Sequence, residues 1–238
     1  VACAEAPGLI ERLAPDRRVL TYGFAPSADV RVEIIELGES SVRCTVEGIG
    51  EVVVPLPGAH SALNAAAAAA LAAECGIEPQ AIVERIARAH APSMRLNWTE
   101  IGGIRLLVDA YNANPESTIA AIDIIAGASG TRRIAVLGDM LELGSDEVPL
   151  HAEVLAHALN NPAIGRIICI GPRYAAAAAQ LDALDERLTS LADPDADWAH
   201  TVAVSLAHGD TVLLKGSRGM ALEHLLKPLR ARSPVQSS

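Results

Sequence analysis

Apolar residues change their spacing partway along this 238-residue chain. Between Val19 and Val54 they alternate with polar ones in short runs: Asp29-Val30-Arg31-Val32-Glu33-Ile34-Ile35, then Val42-Arg43-Cys44-Thr45-Val46, then Glu51-Val52-Val53-Val54. A period of two, broken by Gly and Ser, predicts strands of an antiparallel edge or meander. Pro55-Leu56-Pro57-Gly58 ends that stretch, and an alanine-rich helix is predicted over 61–75, stopped at Gly76 by a left-handed cap. A second helix is predicted over 79–89, and Pro92-Ser93 marks a boundary.

Beyond Arg95 the rhythm changes. Apolar strands at 104–109, 133–137, 166–170 and 211–215 alternate with helices at 115–126, 148–160, 172–181, 195–207 and 219–229. Strand-helix alternation with β-branched apolar runs predicts an α/β fold, a doubly wound and mostly parallel sheet covered on both faces. Such sheets bind ligands at the carboxyl ends of their strands. That rule selects four loops, 109–115, 138–144, 171–174 and 215–219, while 233–238 reads as a frayed tail.

Composition narrows the class. Half of the residues are hydrophobic, 3% aromatic and 20% charged, enough apolar material for one large domain or two modest ones. The 19 basic against 29 acidic residues leave a formal net charge of -10, which argues against a general grip on nucleic acid. The most apolar stretch, 65–73, is mostly alanine and too short to span a bilayer, so membrane insertion is not expected. Cys3, Cys44, Cys75 and Cys169 show no paired spacing, as suits a reducing, cytoplasmic setting. The chain begins at Val1 without Met, basic segment or signal peptide, and reads as a piece of a longer protein.

Three of the loops carry candidate chemistry. In Asp109-Ala110-Tyr111-Asn112-Ala113-Asn114-Pro115, a plain strand-to-helix turn accounts for Asn114 as cap and Pro115 at the first helical position. It leaves Asp109, Tyr111 and Asn112 unexplained, and these suit ribose, phosphate or base contacts. The loop 138–144, with Gly138, Asp139, Glu142 and Gly144, offers sharp turns and carboxylates for a cationic group. Lys215-Gly216-Ser217-Arg218-Gly219 ends a strand and opens a helix, so its cations and amides can meet a phosphate or carboxylate; the bland alternative is a solvated basic turn. His60 and Asn64 share a helix face at the i, i+4 spacing. The chain has no phosphate loop of the G-x-x-x-x-G-K-[ST] type, no G-x-G-x-x-G, no HExxH, no G-x-S-x-G and no metal-spaced histidine cluster.

Taken in order, Gly58-x-His60-x-x-x-Asn64, Met94-Arg95, Asp109 to Pro115, Val136 to Gly144, His151 and Leu214-Lys-Gly-Ser-Arg-Gly219 resemble the Mur ligase family over almost the whole chain. Within that family the Tyr-Asn-Ala-Asn-Pro, Gly-Asp-Met-x-Glu-Leu-Gly and Lys-Gly-Ser-Arg motifs resemble the type that joins D-Ala-D-Ala to UDP-N-acetylmuramoyl-tripeptide. The resemblance implies the end of a central ATPase domain at 1–91, a C-terminal Rossmann-like domain at 92–238, and a phosphate loop and most magnesium ligands upstream. It implies an ATP- and Mg2+-dependent amide ligase of peptidoglycan synthesis, working through an acyl phosphate, cytoplasmic and monomeric, with this portion inactive alone.

It further implies His60 and Asn64 near the adenine, Arg95 on ATP phosphates at an interdomain hinge, and Asp109 on the ribose. Tyr111, Asn112 and Asn114 would line nucleotide and dipeptide, and Lys215, Ser217 and Arg218 would hold the dipeptide carboxylate or orient the reactants, with Lys215 and Arg95 catalytic. Glu142 and His151 match family positions without an assigned role. Two positions depart from the pattern: Ser61 where many relatives have Asn, and the opening residues 1–7 where relatives carry an Asn-Ala-Asp-Asp-Pro-like stretch. Replacing Asp109 or Lys215 by Ala is expected to lower ligation far more than stability. The alternatives are a binding module for nucleotide or dipeptide without turnover, and a Rossmann oxidoreductase, which the missing glycine fingerprint disfavours.

Overall fold

Two sheets account for the two hydrophobic periods. The computed structural model describes residues 1–6, 8–12, 16–181, 185–195 and 197–232, so the tail read at 233–238 lies outside the described residues. The chain divides into two units, Val1–His90 and Ala91–Ser238.

In the first unit, β1 (Ala2–Cys3), β2 (Thr21–Gly23), β3 (Val30–Leu37), β4 (Val42–Val46) and β5 (Gly50–Val54) form one sheet in chain order. The predicted meander is β3-β4-β5, antiparallel throughout. β1 and β2 extend it in parallel and were not legible, being two and three residues long. Alternation works as the period requires: Val42, Cys44, Val46, Val52 and Val54 are buried, whereas Arg43 on the other face reaches Glu36 and Glu51. Helix α1 (Ala59–Glu74) buries Ala62, Ala65, Ala66 and Ala69, a stripe of small residues at helical spacing that packs with the valines of the sheet. It ends as a Schellman motif: Gly76 has φ 80°, its N–H bonds to Ala73 O at 2.9 Å, and Ile77 N–H bonds to Ala72 O at 3.1 Å. Helix α2 (Pro79–Ala87) follows.

The second unit holds β6 (Asn97–Ile101), β7 (Ile104–Asp109), α3 (Pro115–Gly127), β8 (Arg133–Gly138), α4 (Glu147–Asn160), β9 (Arg166–Ile170) and α5 (Pro172–Ala178). It continues with β10 (Leu188–Leu191), α6 (Trp198–Ser205), β11 (Thr211–Lys215) and α7 (Leu226–Arg232). The sheet order is β10-β9-β8-β11-β7-β6, parallel except for the β6-β7 pair. Its two faces are nearly continuous apolar layers, as expected when both are covered. Leu107, Ala135, Leu137, Ile167, Cys169 and Leu213 pack with α3, α4 and α5. Leu106, Val108, Ile134, Val136, Ile168, Val212 and Leu214 pack with α6, Leu222, Leu225 and Leu229. The mostly parallel α/β sheet is therefore as predicted.

Three details differ from expectation. β6 was missed although its signal is present: Gly102-Gly103, at φ 59° and 73°, makes a two-residue hairpin turn that pairs Ile101 with Ile104. β10 is four residues long and was missed for want of length. The helix predicted over 219–229 is broken into short 3-10 turns at Arg218–Met220 and Leu222–Leu225 before α7, with Ala221 left-handed at φ 49°. The break brings Leu222 close to Gly138 and Gly216, where a Cβ would meet its methyl carbons at 3.2 Å and 3.0 Å. Among the described residues no helix is long and apolar enough to cross a membrane.

Candidate functional site

β11 is the switch strand of the second sheet. The chain leaves β7 and β8, its two neighbours, toward the α3-α4-α5 face, and leaves β11 toward the opposite one. Diverging connections open a crevice at the carboxyl ends, the place ligands take in open α/β sheets. Three of the four loops selected from sequence converge there.

Strand register explains the central contact. Lys215 and Asp109 are the last residues of β11 and β7 and are direct partners in the ladder, so the pleat sends both side chains to the same face. Lys215 Nζ lies 3.0 Å from Asp109 Oδ2 and donates to Asn112 O at 2.6 Å. Lys215 is 2% exposed and Asp109 8%. Burial pushes the Lys215 ammonium down from its ordinary proton affinity, the Asp109 carboxylate pulls it back up, and the Arg95 charge lowers it again.

The segment just ahead of β6 is hooked to the same loops. Leu96 N–H donates to Asp109 Oδ1 at 3.3 Å and Tyr111 N–H to Met94 O at 3.2 Å. The Arg95 guanidinium stacks 4.2 Å from the ring centre of Tyr111, itself half exposed. Met94 and Leu96 hold left-handed backbone at φ 62° and 48°, an arrangement that non-glycine residues keep only when their surroundings fix it. Arg218 is exposed, reaches Met94 Sδ at 3.6 Å and pairs with Glu223 Oε1. Lys215, Arg95 and Arg218 thus gather positive charge on a chain of net charge -10.

The loop after β8 is a brace rather than a ligand arm. Asp139, read as a carboxylate for a cationic group, is 0% exposed and spent on the fold. Its Oδ1 accepts Tyr174 N–H at 3.0 Å and its Oδ2 accepts Arg173 N–H at 3.1 Å, at the start of α5. Ser217 N–H donates to Asp139 O at 3.1 Å, and the Ser217 hydroxyl oxygen accepts Leu141 N–H at 2.8 Å. Gly138 and Gly216 let the two strand ends touch, since a Cβ on Gly216 would stand 3.0 Å from Gly138 Cα.

Asn114 caps α3 through a full capping box, its Oδ1 accepting Ser117 N–H at 2.8 Å, while its side chain stays exposed beside exposed Asn112. Glu142 is left-handed at φ 66°. His60, half-buried, and Asn64, exposed, sit one turn apart on α1 in the first unit. Ser61 is buried, its hydroxyl donating to Pro57 O at 2.7 Å. Sequence reasoning missed Glu223 and Arg173, whose partners lie far along the chain or across a broken helix.

Known proteins resemble this chain in sequence and in fold. A family model described as "Mur ligase, glutamate ligase domain" matches residues 94–218. The UDP-N-acetylmuramoyl-tripeptide--D-alanyl-D-alanine ligase of Bacillus subtilis is 32% identical over 88% of this chain and 46% of its own length. The ligase of that name from Treponema pallidum is 34% identical over 91% and 46%. A crystal structure of MurF from Acinetobacter baumannii superposes with TM-score 0.77 at 26% identity, covering 90% of this chain and 47% of that one. The chain therefore spans about half the length of the relatives it matches. With more than half of its residues matched by that domain model, the chain belongs to the Mur ligase family.

Proposed function

We propose that this chain is the amino-substrate and nucleotide-closing portion of an ATP-dependent amide ligase of peptidoglycan precursor synthesis, joining D-Ala-D-Ala to UDP-N-acetylmuramoyl-tripeptide. One observation carries the reading: the buried Lys215 ammonium ties β7, β11 and the Asn112 carbonyl together beneath the exposed groups of Arg95, Tyr111, Asn112 and Arg218. The choice of amino substrate is supported by coverage. D-alanyl-D-alanine ligases match 88% and 91% of the chain, whereas an L-alanine ligase of the family from Lawsonia intracellularis matches 57%.

Carboxylates are poor electrophiles, so the tripeptide carboxyl must first take a phosphoryl group from ATP; the dipeptide amine then attacks and phosphate leaves. In that sequence Arg218, exposed and held by the Met94 and Glu223 side chains, receives the dipeptide carboxylate, and Asn112 and Asn114 flank it. Arg95, held over the Tyr111 ring, meets ATP phosphates. Lys215 works from beneath, offsetting charge and fixing the Asn112 carbonyl, and Asp109 serves by holding Lys215 before any ribose contact. Ser217 shapes the loop, and in the first unit His60 and Asn64 keep the adenine role. Among the described residues no group of three His, Cys, Asp or Glu is arranged to hold a metal ion, and no step is assigned to magnesium.

The test is ligation by the complete protein supplied with tripeptide nucleotide, D-Ala-D-Ala and magnesium ATP. Pentapeptide nucleotide, ADP and phosphate in equal amounts are expected. Product with L-Ala but not the dipeptide, or dipeptide bound without turnover, would overturn the reading in favour of another ligase type or a binding module.

A further inference from the structure

Behind the β8 loop lies a polar cluster that the proposed reaction does not use. His151 on α4 is 0% exposed. Its Nε2 accepts Met140 N–H at 2.9 Å, and its Nδ1 lies 2.5 Å from Glu147 O. A backbone carbonyl only accepts, so Nδ1 carries the proton and Nε2 is bare. The charged and titratable groups around it are Asp139, whose Oδ1 is 3.9 Å from Nε2, Arg173, which pairs with Asp139 and Glu147, the Glu147 carboxylate, and Tyr174, whose ring stands edge-on at 4.5 Å.

Met140 is a junction. Its N–H ends on His151, and its Sδ takes the Thr118 hydroxyl at 3.7 Å, in contact with the helix that Asn114 caps. The residues on either side of it, Asp139 and Leu141, hold Ser217 through two hydrogen bonds. Moving the Met140 amide therefore moves Ser217, and with it the Lys215–Arg218 loop.

We infer that His151 is a positioning residue: as a neutral imidazole protonated on Nδ1, it fixes the Asp139–Leu141 backbone on which Ser217 seats the Lys215–Arg218 loop for the amino substrate. The inference rests on the reading of that loop as the dipeptide site. Protonating Nε2 would set two N–H donors against each other and release the amide. Burial holds the imidazole's proton affinity below the ordinary value of 6.5, with the Glu147 carbonyl and the Asp139 charge opposing. The release thus belongs to conditions more acid than the ordinary imidazole value.

Two variants separate hydrogen bonding from packing. Gln can present Oε1 where Nε2 stands, whereas Leu fills space without accepting. In the complete protein His151→Leu is expected to raise the dipeptide KM about tenfold, the loss of an acceptor for a buried donor, with the ATP KM unchanged. His151→Gln is expected to keep the dipeptide KM within about twofold and to lose its rise at acid pH. Nitrogen-15 spectra of the histidines, which need no substrate, should show the Nδ1–H tautomer for His151. The Nε2–H tautomer, or a His151→Gln enzyme with the wild-type acid rise, overturns the inference even if His151→Leu fails to fold. Where the tautomer is as stated but His151→Gln and wild type share one dipeptide KM at every pH, the inference fails at the loop. If the dipeptide is no substrate at all, the reading beneath it fails instead.

Discussion

At the amino-terminal end of the second sheet Asp210, 1% exposed, accepts two bonds from Arg132, Nε to Oδ1 at 2.8 Å and Nη2 to Oδ2 at 2.6 Å. At the carboxyl end Asp109 meets Lys215 at 3.0 Å. Similar charges stand at opposite ends of the same strands, and their surroundings differ. Asp210 also takes Ala207 N–H at 2.7 Å, and nearby Thr211 ties its hydroxyl to Ser129 O, also at 2.7 Å, so that end is a closed structural knot. Its cation is well exposed, with 43% of the Arg132 side chain in reach of solvent. Around Asp109 the cation is the covered partner, and exposed Arg95, Tyr111, Asn112 and Arg218 face outward beside it. A buried ion pair is weak evidence for stability, so its position beside outward-facing cations points to a site.

The largest expected effect breaks the carboxyl-end pair. Asp109→Ala leaves the Lys215 ammonium buried without its counter-charge and should cost about 3–5 kcal/mol by denaturant unfolding. Because both partners are buried, a stability cost of that size is expected to accompany the loss of ligation anticipated from the sequence. Asp109→Leu with Lys215→Met should recover most of that stability while ligation stays lost; restored activity would show the pair to be mere packing.

The matching change at the other end is smaller. Asp210→Ala lets Arg132 turn to water but strands the Ala207 amide, for about 1–3 kcal/mol, with the dipeptide KM unmoved. A shifted KM would mean that the two ends are coupled.

His151 gives a pH signature of smaller size. Its folded-state proton affinity is lowered, so the unfolded chain binds the proton first as pH falls. Its contribution is fully present above the unfolded value of 6.5 and is lost as pH drops through the lower folded value. Unfolding free energy measured against pH should therefore fall more steeply below 6.5 in wild type than in His151→Gln. Parallel curves would count against a neutral buried imidazole.

The smallest change is Glu223→Gln, which frees Arg218 from its internal carboxylate. Arg218 keeps 57% of its side chain exposed, so stability should move by less than about 1 kcal/mol. Dipeptide binding by calorimetry should tighten severalfold if Glu223 competes for that guanidinium; weaker binding would make Glu223 part of the dipeptide's own support.

Much of this was legible in the chain because it is local. The parallel strands were readable as apolar-rich runs, 104–109, 166–170 and 211–215 coinciding with β7, β9 and β11. The caps at Asn114 and Gly76 were readable because a cap needs only its own few neighbours. Family motifs marked the same loops for the same reason, each being a run of consecutive residues. Tertiary structure decided which of those residues face a ligand. Asp139 and Asp109 are both strand-end acids in glycine- or asparagine-rich loops, yet one caps a helix out of sight and the other holds Lys215.

Residue types and spacing alone therefore indicated the α/β class and the loop positions, while runs of consecutive residues carried the resemblance to the family. Burial, the meeting of Lys215 with a carbonyl 103 positions away, and the proton on His151 were set only on folding. Proton affinity and ligand access depend on what surrounds a group in space, and those surroundings come from segments that the order of the chain keeps apart.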